Sequence, residues 1–320
     1  MRTSNVQRRT LNVEAKKVSD ITSLRRSTFA FSFLLIAIQG CCQPKPVARP
    51  PYYGKTDPMN TVVADINRNG GKIPSLWTRL NFTATLVDPE KHTTNAVSGD
   101  GTLMYARPIS LLLDGNKDIA GPVFQLGSNN DEYWVKIRSS ANTFNYYFGT
   151  YANLGKPGSA SIPIRPDLIL EVLGISLYNT NFLQEPVPVM RFDNDADAYI
   201  FDQNIRLADR WETREEIWYD RASRLPIKVI LYGANGRAVL KADLSKHTPV
   251  ETPGVPADQW PKIASHYDLI FPDSATEITF DFLNTPELQH KARSIMLPNA
   301  GSFRRPDPDD GDKMIPIDPQ

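Results

Sequence analysis

Cysteine is almost missing from this sequence. Among 320 residues there are only two cysteines, Cys41 and Cys42, and they are adjacent. Neighbouring cysteines rarely form a structural disulfide, because the required geometry is strained. The sequence therefore excludes a disulfide-stapled scaffold, and the chain after Cys42 must fold without oxidation. This property fits a protein that folds outside the cytoplasm.

An excess of charge of either sign is missing as well. Lys and Arg number 36, and Asp and Glu also number 36. Residues 1–40 hold seven of the basic and two of the acidic residues, which leaves 29 basic and 34 acidic residues in the rest. A slightly acidic body argues against nucleic-acid binding, which depends on a basic surface.

Catalytic and metal-binding patterns are not found either. No G-x-S-x-G motif offers a nucleophilic serine. Asp193, Asp195 and Asp197 have the spacing with which a calcium loop begins, but Ala198 stands in the glycine position and Asn204 in that of the bidentate Glu. We therefore predict no enzymatic activity, no metal site and no cofactor. The histidines, which are scattered without metal-ligand spacing, are His92, His247, His266 and His290.

The N-terminal segment has the order of regions of a secretory signal. A positive edge, Arg25-Arg26, precedes the mostly apolar residues 29–38, and the small Gly40 follows. The apolar run is too short to cross a bilayer, which takes about 20 apolar residues. Ile38-Gln39-Gly40-Cys41 resembles the lipobox of bacterial lipoproteins, which implies cleavage before Cys41 and lipid attachment to it. The alternative is a hydrophobic anchor or a buried helix that ends in two cysteines.

Composition divides the chain into four parts. Residues 1–40 are predicted to be a lipoprotein signal peptide, and residues 41–56 are a proline-rich, semi-rigid tether. Residues 57–297 alternate short apolar runs with turn residues, which favours strands over long helices. Residues 298–320 are rich in Pro and Asp, which predicts a disordered tail with a solvated charge run. The acidic residues of that run are Asp307, Asp309, Asp310 and Asp312.

Two helices and many strands are predicted in the body. One amphipathic helix begins with Asp57 as N-cap and ends at Asn69-Gly70-Gly71. The second, Pro166–Leu173 followed by Gly174, is apolar nearly all round, which predicts a lid or plug covered on more than one side. Alternation over residues 79–86 predicts a half-buried strand. Further strands are predicted at 98–105, 110–114, 123–126, 132–138, 142–151, 263–271 and 277–283, with a three-strand meander at 211–220, 227–232 and 238–244.

Four stretches of the body carry a resemblance to a known family. They are Trp77-Thr78-Arg79-Leu80-Asn81-Phe82, then Gly101-Thr102-Leu103 with Arg107-Pro108, then Trp218-Tyr219-Asp220 leading through Leu225-Pro226 to Lys228–Tyr232, and Phe271-Pro272 ahead of Ile278–Phe282. These stretches resemble the LolA/LolB-type lipoprotein localisation factors over roughly residues 57–285. The resemblance implies an α+β fold, an antiparallel sheet of about ten strands curled into a half-open β-barrel and covered by short helices.

The resemblance also implies an apolar cavity that handles lipid or acylated protein. An acyl chain gains about 0.8 kcal/mol for each CH₂ that it buries, so a binding protein must offer apolar surface. The alternative is that the same side chains form a packed core without a cavity. Candidate lining residues are Phe82, Leu103, Phe148, Trp218, Leu231 and Phe280 from the sheet, with Leu168 and Leu173 from the second helix.

Two functions of different class follow. The first is a membrane-anchored envelope lipoprotein that binds lipid or acylated lipoprotein, in sorting to the outer membrane. The second is a structural or regulatory envelope lipoprotein that binds a periplasmic protein partner. The residue after Cys41 is not Asp, which is compatible with an outer-membrane location facing the periplasm.

Overall fold

The computed structural model describes residues 50–88, 93–117, 121–140, 143–153, 164–283, 286 and 303–318. The chain divides into two units, Met1–Arg49 and Pro50–Gln320, and every described residue belongs to the second. The predicted signal peptide and Cys41 therefore lie outside the described residues. Within the described ranges, no helix combines the length and apolar composition needed to cross a membrane.

The first helix, α1, spans Met59–Gly70 and buries Val62, Val63 and Ile66, as its apolar periodicity predicts. Its N-cap is Pro58 and not the predicted Asp57, whose backbone N–H donates to Tyr199 Oη at 2.7 Å. At the other end, the Arg107 guanidinium donates to the Gly70 carbonyl at 2.9 Å. The same carbonyl also accepts from the Ile73 N–H at 2.9 Å, so a carbonyl without a partner inside the helix receives one local and one long-range donor.

The second helix, α2, spans Pro166–Val172 and contacts strands of both halves of the sheet. Its end is fixed by Gly174, which has φ +68°. A Cβ atom at this position would lie 2.5 Å from Pro226 Cγ. Both the left-handed backbone and the close approach of Pro226 require glycine here.

The described residues contain sixteen strands. Fourteen of them form one sheet, and β12 pairs only with β13. Their bounds are β1 Ser75–Asp88, β2 Thr93–Ala106, β3 Ser110–Lys117, β4 Gly121–Ser128, β5 Glu132–Ser140, β6 Thr143–Thr150, β7 Val187–Asp193, β8 Ala198–Leu207, β9 Arg210–Asp220, β10 Pro226–Tyr232, β11 Ala238–Ser245, β12 Thr248–Pro249, β13 Lys262–Ile263, β14 His266–Phe271, β15 Thr276–Phe282 and β16 Lys313–Pro316.

The large sheet consists of two antiparallel meanders that meet at one seam. Its order is β16-β6-β5-β4-β3-β2-β1-β15-β14-β11-β10-β9-β8-β7, so it is open at both ends. At the seam β1 pairs with β15, with Phe82 opposite Phe280. The predicted number of about ten strands is wrong, because β7, β8 and β16 come from segments that were not predicted as strands.

One face of the sheet carries the core, and β1 shows why. Leu80 and Phe82 are buried, whereas Arg79 and Asn81, which alternate with them, are exposed. The predicted half-buried strand is confirmed at these positions. We call the buried side the inner face. It also carries Leu103, Leu113, Val229, Leu231, Ile278 and Phe280 in the same core cluster.

The C-terminal residues 303–318, which we call the strap, are not disordered as predicted. Phe303 is buried, and β16 pairs in parallel with β6. Lys136 Nζ lies 2.6 Å from Asp309 Oδ2 and 2.8 Å from Asp312 Oδ2. The acidic run is therefore not a solvated one, because two of its carboxylates hold a lysine of β5. The buried Ile317 and the partly buried Ile315 supply apolar contact that the Pro and Asp content did not indicate.

Candidate functional site

A cleft of about 950 Å³ opens between α2 and the ends of β8, β9 and β10. Its volume falls within the range of about 300–1,000 Å³ that is usual for small-molecule sites. Most of its wall is apolar, and both helix and sheet contribute. The apolar lining includes Leu168, Leu170, Ile175, Leu177, Ile205, Leu207, Leu231 and Val239.

Two ion pairs lie in the same cleft. Arg165 Nη2 is 2.5 Å from Asp167 Oδ2, so this pair lies at the N-terminal end of α2. The Arg214 guanidinium pairs with the Glu171 carboxylate and so links β9 to the helix. Burial raises the pKa of Glu171, and the charge of Glu171 in turn raises the pKa of Arg214. The cleft thus combines apolar walls with a charged border.

Glu215 lies on the inner face beside the cleft. It is opposite Leu231, a lining residue, and only 6% of its surface is exposed. Its Oε2 accepts a hydrogen bond from Gln203 Nε2 at 2.8 Å, whereas its buried Oε1 has no partner among the described residues. Burial first, and then the charge of Glu171, raises the pKa of Glu215 to about 8.

The predicted lining residues do not form one group. Leu168 and Leu231 line the cleft. Four others, three from the inner face of the sheet and one from the end of α2, belong to the packed core, where they fill space instead of bordering an opening. These core residues are Phe82, Leu103, Leu173 and Phe280.

Phe148 and Trp218 are on the outer face, so they cannot line the cleft. Phe148 is opposite Trp134 and is covered by the Arg305 guanidinium, 4.6 Å from the ring centroid. Trp218 is covered by Lys228 Nζ at 5.3 Å, and its Nε1 donates to Glu216. Both aromatic rings therefore serve as platforms for cationic side chains.

The charged residues of the cleft were missed by the sequence analysis. A usable signal was present, because Asp167 and Glu171 are four residues apart in an otherwise apolar helix and therefore share one side of it. Arg214 and Glu215 precede the apolar half of β9, where a buried strand face normally lacks charge. Charges at such positions indicate either a buried network or a binding site.

Two of the three carboxylates considered for calcium have other roles. Asp197 pairs with Arg221 at 2.6 Å, and Asp193 Oδ1 accepts from the Ala196 N–H at 2.8 Å. His266 lies between Asp281 and Asp268, at 2.7 and 3.1 Å. In the part of the chain that the structure describes, no group of three or more His, Cys, Asp or Glu side chains is placed to hold a metal ion.

Comparisons with known proteins give similarity in structure and none in sequence. No family model matches the chain, and no curated protein matches it. A DUF1329 family protein from Desulfovibrio piger is 10% identical with a TM-score of 0.49, and the match covers 78% of this chain and 100% of that one. A putative outer membrane lipoprotein-sorting protein domain from Vibrio parahaemolyticus is 11% identical with a TM-score of 0.45, over 73% and 94%. A LolA superfamily protein from Nitrosomonas europaea is 11% identical with a TM-score of 0.44, over 77% and 96%. A LolA superfamily protein is thus one of the solved structures to which this chain is similar.

Proposed function

We propose that this protein is a membrane-anchored envelope lipoprotein that binds an acyl chain, of a lipid or of an acylated lipoprotein, in the cleft beneath α2. The observation that carries the proposal is the cleft itself, which has apolar walls and a volume of about 950 Å³. The lipobox-like sequence before Cys41 supports the anchor, and a role in lipoprotein sorting at the outer membrane is the wider form of the proposal.

The chemistry of the cleft suits an amphiphile. Each CH₂ group of an acyl chain gains about 0.8 kcal/mol when it leaves water for an apolar wall. The ion pairs Arg165–Asp167 and Glu171–Arg214 stand where the polar end of such a ligand needs hydrogen-bonding partners. Because α2 is only seven residues long and forms one wall, a small displacement of it changes the width of the cleft.

Acyl binding is tested with cis-parinaric acid, a fluorescent fatty acid, on the chain beginning at Pro50, which contains the whole described core. Leu170 lines the cleft and is only partly buried, so Leu170→Asp introduces a charge into the apolar wall without emptying the core. We expect the affinity for the probe to fall about tenfold or more, since a charge next to an acyl chain costs over about 1.4 kcal/mol.

Ile270→Asp is the matched control, because Ile270 is 40% exposed and lies on β14, away from the cleft lining. It is expected to bind the probe like the unaltered chain. Equal probe affinity in all three proteins, or no binding by any of them, contradicts the proposal.

The anchor has an independent test in metabolic labelling with radioactive palmitate. Cys41→Ser is expected to remove the label, because the lipid is attached to the cysteine that becomes the first residue. Cys42→Ser keeps the proposed acceptor and is expected to retain the label. Labelling of the Cys41→Ser protein would place the lipid elsewhere and end this part of the proposal.

The alternative, a partner bound by strand addition, has weaker support in the sheet edges. Within the described residues β7 pairs only with β8, and this edge strand contains Pro188, which lacks an N–H donor. The other edge strand, β16, has four residues and ends in Pro316. Short or proline-containing edge strands discourage strand addition.

A further inference from the structure

Three large apolar side chains stand exposed at the end of the sheet where the cleft opens. Leu177, Leu207 and Trp211 are 47%, 41% and 56% exposed, and we call them the mouth rim. Leu177 and Leu207 line the outer part of the cleft. Trp211 is opposite Arg206 on the outer face of the sheet, where it borders a shallow depression together with Arg191 and Asp202. Exposed apolar side chains on both faces of the same sheet end indicate a contact surface at that end.

Two of the three are at the tip of one hairpin. β8 ends at Leu207 and β9 begins at Arg210, with Arg206 opposite Trp211 and Leu207 opposite Arg210. Ala208 turns the chain with φ +53°, and every residue from Arg206 to Trp211 is exposed. The tip therefore presents a leucine, a tryptophan and two arginines to the surroundings in one compact projection.

This set of residues matches a lipid interface. Tryptophan is enriched at the boundary between hydrocarbon and water, where its ring is buried and its N–H stays hydrated. Arginine keeps its guanidinium in the headgroup layer while its stem contacts apolar surface. We propose that the mouth rim docks on the surface of a lipid bilayer and so places the cleft opening against the membrane.

The charges at the tip indicate how it binds. Arg206 and Arg210 are balanced by Asp209 and Glu212, and Arg210 already pairs with Glu212 at 2.5 Å. A balanced tip gains little from an anionic surface. The contact is therefore apolar and interfacial, and it tolerates salt.

The length of chain ahead of the sheet permits this contact. The Tyr52 N–H donates to the Asn194 carbonyl, at the end of β8 opposite to the tip. β8 has ten residues and is about 30 Å long. The stretch from Cys41 to Tyr52 can span at most about 36–40 Å. Under the lipid anchor of the proposed function, the tip can therefore reach the membrane that holds the anchor.

Vesicle binding tests the inference on the chain beginning at Pro50, which carries neither Cys41 nor the apolar run before it. The probes are phosphatidylcholine vesicles and vesicles of phosphatidylcholine with phosphatidylglycerol at a ratio of about three to one. The protein is expected to sediment with both, with less than about a twofold change in affinity between 0.1 and 0.5 M NaCl. The fluorescence emission is expected to shift to the blue, and Trp211→Phe should remove most of the shift.

Trp211→Ala is expected to weaken vesicle binding by about tenfold, and Ile270→Ala, which removes an apolar side chain that is 40% exposed on β14, should leave it unchanged. A protein that stays in the supernatant with both vesicles, or equal binding by Trp211→Ala, overturns the inference and assigns the mouth rim to a protein partner. Failure of the proposed function would be seen in a different experiment, because cis-parinaric acid binding is measured without vesicles.

Discussion

At the scale of single residues, Glu215 combines deep burial with an incomplete set of hydrogen bonds. Its Oε1 has no partner among the described residues, and its pKa is raised to about 8. An unfolded glutamate has a pKa near 4.3. Between these two values the folded protein binds more protons than the unfolded chain, so the free energy of unfolding must decrease as the pH rises.

Glu215→Gln should remove this dependence. The glutamine keeps the size of the side chain and can still accept from Gln203 Nε2, but it never ionises. We expect the variant to be more stable than the unaltered protein by about 1–3 kcal/mol at pH 8.5 and close to it at pH 4.5. Urea unfolding at both pH values measures the difference. Glu277→Gln, on an exposed position of β15, is the control, and equal pH slopes in all three proteins would refute the argument.

At the scale of elements, the end of α2 depends on one glycine. Gly174 has φ +68°, and a Cβ atom there would collide with Pro226 of β10. Gly236, in the turn between β10 and β11, has a similar φ of +72°, but a Cβ atom there would meet nothing within 4 Å. The two glycines therefore share a backbone conformation and differ in packing.

Gly174→Ala is expected to destabilise the protein more than Gly236→Ala does. Both variants place an alanine in the left-handed backbone conformation, which costs about 1–2 kcal/mol. The collision with Pro226 adds about 1–3 kcal/mol at position 174 only. Thermal unfolding of the two variants gives the comparison. Equal losses of stability would show that α2 moves away from β10 at little cost.

The hydrophobic pattern of the sequence predicted those elements of the fold that depend on residues close together in the chain. The alternation in β1, the turn-linked strands β9 to β11 and the apolar helix α2 were all visible in the sequence and are confirmed. β7 was missed because Pro186 and Pro188 flank and interrupt it. The face to which Phe148 points could not be predicted, since its partner strand β5 buries residues on both faces, Val135 on one and Trp134 on the other. The face of Trp218 was equally hidden, because the partly buried Trp218 stands between the buried Ile217 and Tyr219.

At the scale of the whole molecule, the strap binds the end of the chain to the sheet. Lys136 is buried together with Asp312, whose side chain is 1% exposed. Burial alone would raise the pKa of Asp312, but the hydrogen bonds from Lys136 and from the Asp309 N–H lower it below its usual value. This contribution to stability is present above a pH of about 3.9 and is lost as the pH falls through the lowered pKa.

Lys136→Met is expected to lower the free energy of unfolding by about 3 kcal/mol, because it leaves Asp312 buried without its cation. Adding Asp312→Asn should recover part of the loss, and Lys241→Met, on an exposed position of β11, should cost under about 0.5 kcal/mol. Urea unfolding followed by tryptophan emission measures all of these variants. An unchanged midpoint for Lys136→Met would show that the strap adds nothing to stability.

The seam between the two meanders has a consequence for how the chain is completed. Phe82 and Phe280 are paired although they lie 198 positions apart in the sequence, whereas most other strands pair with neighbours in sequence. Protein chains are made from the N-terminus, and distant pairings form slowly. The fourteen residues of β1 therefore keep one edge open until β15 arrives. The longer this edge stays unpaired, the greater is the risk that a second, incompletely folded chain pairs with it before β15 does.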